Sequence, residues 1–417
     1  MSVWRRIGGV LAVSGGLGAL LANIWTVWRR EGWAGISRRT RRHLSAGKPV
    51  PKLRMTVEPG DDRDPGQPIR LIAFYLPQYH PIPENDAWWG KGFTEWTNVT
   101  RARPNFAGHA QPHFPADLGY YDLRVPETRA AQAALAHEYG IHGFCYYAYW
   151  FGGKRLLNRP LDEVIATGEP DFPFCVCWAN ENWTRNWDGQ SSRVLLAQQH
   201  SDQDDKAFIA SLFPALRDRR YIRINGRPLL LVYRLNLLPD ASRTAHIWRE
   251  ACREAGIGEL YLAAVDSFLH GDPRQYGFDA GVEFPPHGMG VVTGTPQPLL
   301  NQRFRGLCYS YLATAQRYLD KPWPAHPWFR CVMPAWDNTA RRQDSAQIFL
   351  GSRPELYGQW LENVIRQTRA HNTGDERIVF VNAWNEWAEG NHLEPDQQHG
   401  HAWLQATADA LVAGSRC

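Results

Sequence analysis

The chain has 417 residues, 44% of them hydrophobic, enough for one large domain or two ordinary ones with a substantial core. Its formal charge of +4 is unevenly placed: residues 1–48 hold nine Lys or Arg against one acid, Glu31, so the basic character belongs to a tail and the body gives no reason to propose nucleic acid. The seven cysteines are odd in number and several sit in apolar runs, which reads as buried reduced thiols rather than a disulfide framework or a metal centre.

Ile7 to Trp28 carries no charge and is long enough to cross a bilayer as a helix. Arg5 and Arg6 precede it, and Arg29, Arg30, Arg38, Arg39, Arg41, Arg42 and Lys48 follow. That asymmetry keeps the C-terminal flank in the cytoplasm by the positive-inside rule. An interfacial helix lying on anionic lipid is the alternative. Residues 1–44 are therefore expected to be a membrane anchor with a basic flank, placing the protein at the inner membrane with its body in the cytoplasm. Residues 45–68, rich in Pro, Gly and charge, are expected to be a linker, and residues 69–417 the catalytic domain.

From residue 69 one theme repeats: a short apolar run rich in β-branched and aromatic residues, a polar loop, then a helical stretch. The runs are 70–79, 141–150, 173–179, 228–234, 260–266, 280–284, 330–336 and 377–384. Helical patterns over 127–139, 242–255 and 354–370 precede the second, fifth and eighth. Continuous apolar strands alternating with helices imply a parallel sheet covered on both faces. Eight such units predict an α/β fold, a (β/α)8 TIM barrel with insertions. An open doubly wound sheet would normally carry a glycine-rich turn after its first strand, where this chain has Leu76-Pro77-Gln78-Tyr79-His80.

Barrel enzymes place their working residues at the C-terminal ends of the strands. Here those ends are polar and aromatic. They include Gln78 and His80 at the end of the first run, with Tyr75 shortly before them, Tyr149 and Trp150 at the end of the second, and Asn180, Glu181 and Trp183 after the third. Trp336 and Asp337 follow the seventh, and Asn385, Glu386, Trp387 and Glu389 the eighth. Flat rings bordered by amides and carboxylates suit a sugar, whose C–H faces are apolar and whose edges are hydroxyls.

Glu386 and Glu389 are the candidate catalytic pair. Three residues apart, they would face opposite ways on a strand, but the same way if the chain turns helically after Asn385. Two carboxyls in one cavity meet the needs of glycosidic cleavage, one protonated and one ionised. They are expected in one open cleft lined by Tyr75, Trp150, Trp183 and Trp336. Asn180-Glu181 is a competing strand-end acid and is kept as substrate-binding. No metal or cofactor is expected: His80, His142, His287 and His392 lack a compact ligand spacing. Asp202-Gln203-Asp204-Asp205 reads as a solvated polar loop.

The segments FYLPQYH (74–80), WGKGFTEW (89–96), YAYWFGGKRLLNRP (147–160), CWANENWTRNWDG (177–189), MPAWDNTARR (333–342) and NAWNEWAEGNHLEPD (382–396) resemble the glycoside hydrolase family 99-like proteins. The likeness is to the bacterial WbsX-type branch associated with lipopolysaccharide and O-antigen loci. It adds Glu95 and Trp96 to the candidate substrate-binding residues. It implies a barrel in which Glu386 acts as base on the sugar's own 2-hydroxyl, giving an anhydro-sugar intermediate with retention. Glu389 is then the acid/base for the leaving group and for water. Where the hydrolase motif has His, this chain has Ala388. Three functions are compatible with the residues. The first is a retaining glycosidase or transglycosidase on a cell-envelope polysaccharide or glycolipid. The second is a glycosyltransferase of lipopolysaccharide synthesis, and the third a non-catalytic sugar-binding protein.

Overall fold

Eight parallel strands close on themselves in this computed structural model, which describes residues 50–56, 62–184, 194–266 and 271–415. They are β1 (Arg70–Tyr75), β2 (Ile141–Phe151), β3 (Phe174–Trp178), β4 (Arg227–Val232), β5 (Tyr261–Asp266), β6 (Ala280–Glu283), β7 (Trp328–Val332) and β8 (Ile378–Val381). Each pairs with its neighbours in chain order, and β1 pairs with both β2 and β8, so the sheet has no free edge. The eight apolar runs of the sequence are these eight strands. Their β-branched and aromatic residues are buried because a barrel strand packs its two faces on different layers, side chains within and helices outside. The open doubly wound sheet is excluded by the β1–β2 and β1–β8 ladders together.

The barrel belongs to the unit Lys52–Cys417. The expected anchor over 7–28 lies outside the described residues. Among the described residues no helix is long and apolar enough to cross a membrane.

The helices are α1 (Pro83–Trp89), α2 (Glu95–Arg101), α3 (Pro126–Glu138), α4 (Arg159–Thr167), α5 (Asp202–Ser211), α6 (Phe213–Arg217), α7 (Ala241–Glu254), α8 (Tyr311–Leu319), α9 (Thr339–Arg342), α10 (Pro354–His371) and α11 (Ala402–Gly414). The three helices expected from periodicity are α3, α7 and α10. Proline opens α3 and α10, where its missing N–H has no intrahelical partner to lose. Asp240 caps α7 by accepting the amide of Arg243. Between β5 and β6 the described residues hold only a 3₁₀ turn, Pro273–Tyr276.

One local expectation fails. Asp202-Gln203-Asp204-Asp205 is not a solvated loop but the first turn of α5, with Ser201 as its cap. Acids there face the positive end of the helix dipole. Asp204 accepts the indole N–H of Trp150 and Asp205 the hydroxyl of Thr244, so both are used by the fold.

The barrel interior is aromatic. Phe74 meets Tyr147 at 5.6 Å, Phe284 at 5.1 Å and Phe380 at 5.4 Å between ring centroids. Six cysteines, Cys145, Cys175, Cys177, Cys252, Cys308 and Cys331, are free and buried, as a reduced core requires. The excursions after β6 and β7 together add a small sheet, with Val292–Thr293 and Leu307–Ser310 from the first and Gln347–Leu350 from the second, which contributes part of the cavity wall described next.

Candidate active site

The segment leaving β8 decides the site. Asn385-Glu386 pairs antiparallel with Asn391-His392, and Trp387–Glu389 between them is one 3₁₀ turn. Three residues per turn aligns positions i and i+3, so Glu386 and Glu389 come to the same side. Gly390 closes the turn at φ 58°, a left-handed conformation, with Asp337 so near that a Cβ would lie 3.0 Å from its Cβ and carbonyl oxygen. Both glutamates line one cavity of about 780 Å³ at the C-terminal mouth of the barrel, with Tyr147, Tyr149, Glu181, Tyr233, Trp336 and Arg341.

A single guanidinium organises the acids. Arg341, in α9, reaches Glu389 at 2.8 Å, Glu386 at 3.2 Å and Glu95 at 3.3 Å. The Arg341 side chain is 9% exposed, Glu386 9% and Glu389 20%. One cation cannot neutralise three carboxylates, so a proton is retained. Burial, reinforced by the charges of Glu389 and Glu95, raises Glu386 to about 8 against the pull of Arg341. Burial also raises Glu389. The two titrate as a pair that holds a proton near neutral pH. Such a pair offers an acid and a base in one cavity, the equipment that acetal cleavage needs.

Four buried groups hold the turn in place. The Asn385 carboxamide accepts from Leu76 N at 2.7 Å and donates to Leu76 O at 3.1 Å, tying the turn to the end of β1. The Tyr79 hydroxyl donates to Asn385 O at 2.6 Å and accepts from Trp387 N at 3.2 Å. Glu394 accepts from the Trp387 indole at 2.6 Å, Gln132 at 2.6 Å and the Tyr121 hydroxyl at 2.8 Å. Burial raises Glu394 to about 7 despite those bonds. Asp337 donates its amide to Glu389 O at 2.7 Å, while its carboxylate accepts from Gln111 at 2.7 Å and contacts His109 at 2.6 Å. For Asp337 burial alone would raise the pKa, but its hydrogen bonds to His109, Thr339 and Gln111 outweigh burial and hold it below the usual range.

Of the residues singled out from the sequence, Glu386, Glu389, Tyr149, Glu181 and Trp336 line this cavity. Gln78, Glu95 and Trp183 line a narrower adjoining pocket beside α1 and α2, and Gln78 donates to the Tyr149 hydroxyl at 2.8 Å. The expected lining of Tyr75, Trp150, Trp183 and Trp336 is corrected to Trp336 alone in the main cavity. The reason for Tyr75 and Trp150 is strand parity. Tyr147 and Tyr149 face inward, so Trp150 faces out against Asp204 and Phe208 of α5. On β1, Phe74 is the inward residue, and Tyr75 packs outward on Phe144 and Tyr146 with its hydroxyl donating to Gln132.

The others are buried in the surrounding frame. Trp96 donates to Tyr121 O at 2.8 Å and packs on Tyr79 and Trp387. Trp387 stacks on His392 with centroids 3.7 Å apart. Asn180 bridges to Arg234, and burial lowers His80 to about 4, keeping its ring neutral. Asp337 lines a separate cavity of about 220 Å³ behind Trp336.

Sequence reasoning missed Arg341, although it lies within the quoted MPAWDNTARR segment, because nothing in its spacing shows that α9 turns it toward the barrel axis. It also missed Tyr147, Tyr233 and Glu394. The alternation of β2 could have found Tyr147, two residues before Tyr149. Among the described residues no group of three or more His, Cys, Asp or Glu is arranged to hold a metal ion.

The sequence model described as "Glycosyltransferase WbsX" matches residues 71–407. Proteins named WxcX from two strains of Xanthomonas campestris pv. campestris are 50% identical over 346 residues, 83% of this chain and 50% of theirs. The chain thus spans about half the length of these curated relatives. Among solved structures, a "Glycoside hydrolase-like protein" superposes with a TM-score of 0.56 at 14% identity, covering 88% of this chain and 97% of that one. The GH99 endo-alpha-mannosidase from Bacteroides thetaiotaomicron gives 0.51 at 15% identity, covering 83% and 97%. At such identities the likeness concerns the fold, a closed eight-stranded barrel shared with glycoside hydrolases. The chain belongs to the WbsX glycosyltransferase family, and the resemblance read from its motifs is thereby borne out.

Proposed function

We propose that this WbsX-family barrel is an enzyme that cleaves or transfers a glycosidic bond of a cell-envelope polysaccharide or glycolipid with retention, using Glu386 and Glu389. The observation that carries the reading is the pairing of two carboxyls, three residues apart on one 3₁₀ turn, on one buried guanidinium and in one cavity. Glu389 is the more open of the two and takes the acid/base role, which must reach both the leaving group and water. Glu386, deeper and bonded to the same arginine, takes the proton of the sugar's 2-hydroxyl as that oxygen closes on the anomeric carbon, and returns it when water or the acceptor opens the anhydro ring; for this the proton held by the pair passes from Glu386 to Glu389 when substrate binds. In this cycle the pair's proton goes first to the departing oxygen and returns from the incoming water or acceptor hydroxyl. Tyr149, Glu181 and Trp336 are the residues assigned to substrate from the cavity wall, with Gln78, Glu95 and Trp183 from the adjoining pocket.

A second reading, transfer from an activated donor in lipopolysaccharide or O-antigen synthesis, draws on the family's description. The two are separated by incubating the purified protein with envelope oligosaccharides, alone and with a nucleotide-sugar panel, and following products by NMR. Retained anomeric configuration without any nucleotide supports the first reading. Turnover only with a nucleotide sugar overturns it. The anchor at residues 7–28, with the barrel on the cytoplasmic side of the inner membrane, is a proposal from the charge pattern alone. C-terminal phosphatase and fluorescent-protein fusions test it, and an active periplasmic phosphatase refutes it.

A further inference from the structure

The charged groups on the cavity wall have partners, with one exception among the described residues. Glu181 pairs with Arg234 at 2.5 Å, and Glu386 and Glu389 share Arg341. The exception is Arg342, exposed on the same wall, whose guanidinium bonds to no acceptor of the fold. Its charge helps to draw down the raised pKa of Glu389, so it stands on Glu389's side of the cavity.

The neighbours of Arg342 are also donors without acceptors. Asn338 stands four residues before it, one turn along α9, and is only 6% exposed. Its Oδ1 accepts from Gln347 N at 2.7 Å, which leaves the two N–H groups of Nδ2 on the wall with no acceptor in the fold. The indole N–H of Trp336, the next wall residue, is buried without an acceptor. Sugar hydroxyls both donate and accept, so a wall for neutral sugars mixes the two kinds of group. A guanidinium and a carboxamide N–H together match a partner that only accepts, namely a carboxylate or a phosphate.

We propose that Arg342 and Asn338 form a subsite for a negatively charged group on the sugar unit next to Glu389, and that the natural substrate is an acidic glycan bearing a uronate or a phosphate. The word glycan rests on the function proposed above, but the subsite does not depend on the roles of Glu386 and Glu389. An acidic substrate would otherwise be repelled by a cavity already holding three carboxyls, and Arg342 offsets that repulsion.

The test is calorimetric titration of the full chain with trigalacturonate, its carboxyl-reduced neutral counterpart and galactose 1-phosphate, at low and high salt. The expected result is a preference of about 10- to 100-fold for a charged probe over the neutral one, weakened by salt. Arg342→Gln should abolish the preference while leaving neutral-probe affinity unchanged, and Arg342→Lys should keep part of it. Arg342-dependent binding of the uronide alone identifies a carboxylate, and of the sugar phosphate alone a phosphate. Equal binding of charged and neutral probes, no binding of either charged probe, or a preference surviving in Arg342→Gln overturns the proposal. If Glu386→Gln and Glu389→Gln keep turnover while the preference stands, the catalytic reading falls and the subsite remains.

Discussion

The chain writes the dipeptide Asn-Glu at two strand ends, and the barrel treats the two copies alike at Asn and differently at Glu. Asn180 and Asn385 are both fully buried, and each exchanges two hydrogen bonds with the backbone of the residue leaving the neighbouring strand. Asn180 grips Arg234 N and O at 2.8 and 2.9 Å, as Asn385 grips Leu76. Each carboxamide thus extends a parallel ladder after the strands have splayed. The glutamates then part. Glu181 is 39% exposed and pairs with Arg234. Glu386 is buried and shares Arg341 with two other acids. Identical local sequence yields a solvated ion pair in one place and a proton-holding carboxyl in the other. The number of charges competing for one cation, and the water excluded around them, make the difference.

The largest effect expected from breaking this contrast is on turnover. Glu386→Gln and Glu389→Gln should each lower kcat by about 10²- to 10⁴-fold or more with the fold intact by circular dichroism. Glu181→Gln should fall well short of that, and equal losses at 181 and 386 would erase the distinction. For Glu389→Gln, an activated aryl glycoside should restore part of the rate, because its leaving group needs little protonation.

Next comes the shared cation. Arg341→Met strands the buried carboxyls of Glu95 and Glu386 and the partly buried one of Glu389, and denaturant unfolding should show a loss of about 3–5 kcal/mol. The corresponding change at the open site, Arg234→Met, frees the half-exposed Glu181 and should cost about 1 kcal/mol or less for that ion pair.

The two asparagines should behave alike. Asn180→Ala and Asn385→Ala each remove two hydrogen bonds to the backbone at a neighbouring strand end, a loss of about 1–3 kcal/mol by the same measurement. Only Asn385→Ala should also depress kcat, since it carries the Glu386 turn.

The smallest effect is a dependence on pH. Glu386 binds its proton more tightly folded, near 8, than at the ordinary glutamate value of 4.5. Wild-type stability from this group is therefore full below 4.5 and is lost as pH rises toward 8. The Tm advantage of Glu386→Gln over wild type should grow between those limits. A constant Tm difference for Glu386→Gln would contradict the raised pKa.

Much of this was legible in the sequence. Eight apolar runs, mostly buried because both strand faces are covered, specified the barrel. The helices α3, α7 and α10 announced themselves by periodicity. Placement of the Glu386–Glu389 turn followed from its position after the last run. Assignments to the cavity wall were poorer, because aromatic composition marks a strand end without marking its face: Tyr75 and Trp150 fell one residue out of phase with Phe74 and Tyr149. Arg342 likewise looked no different from Arg341.

What the sequence determined by itself was the class of the fold and the address of the acids, since strand period, strand count and the order of motifs are local properties of the chain. What only the tertiary structure decided was the electrostatics. Glu95 comes from α2, Arg341 and Arg342 from α9, and Glu386 and Glu389 from the turn after β8. Whether a carboxyl there is ionised depends on how many such charges meet and how little water remains, and closure of the barrel alone brings those distant segments together.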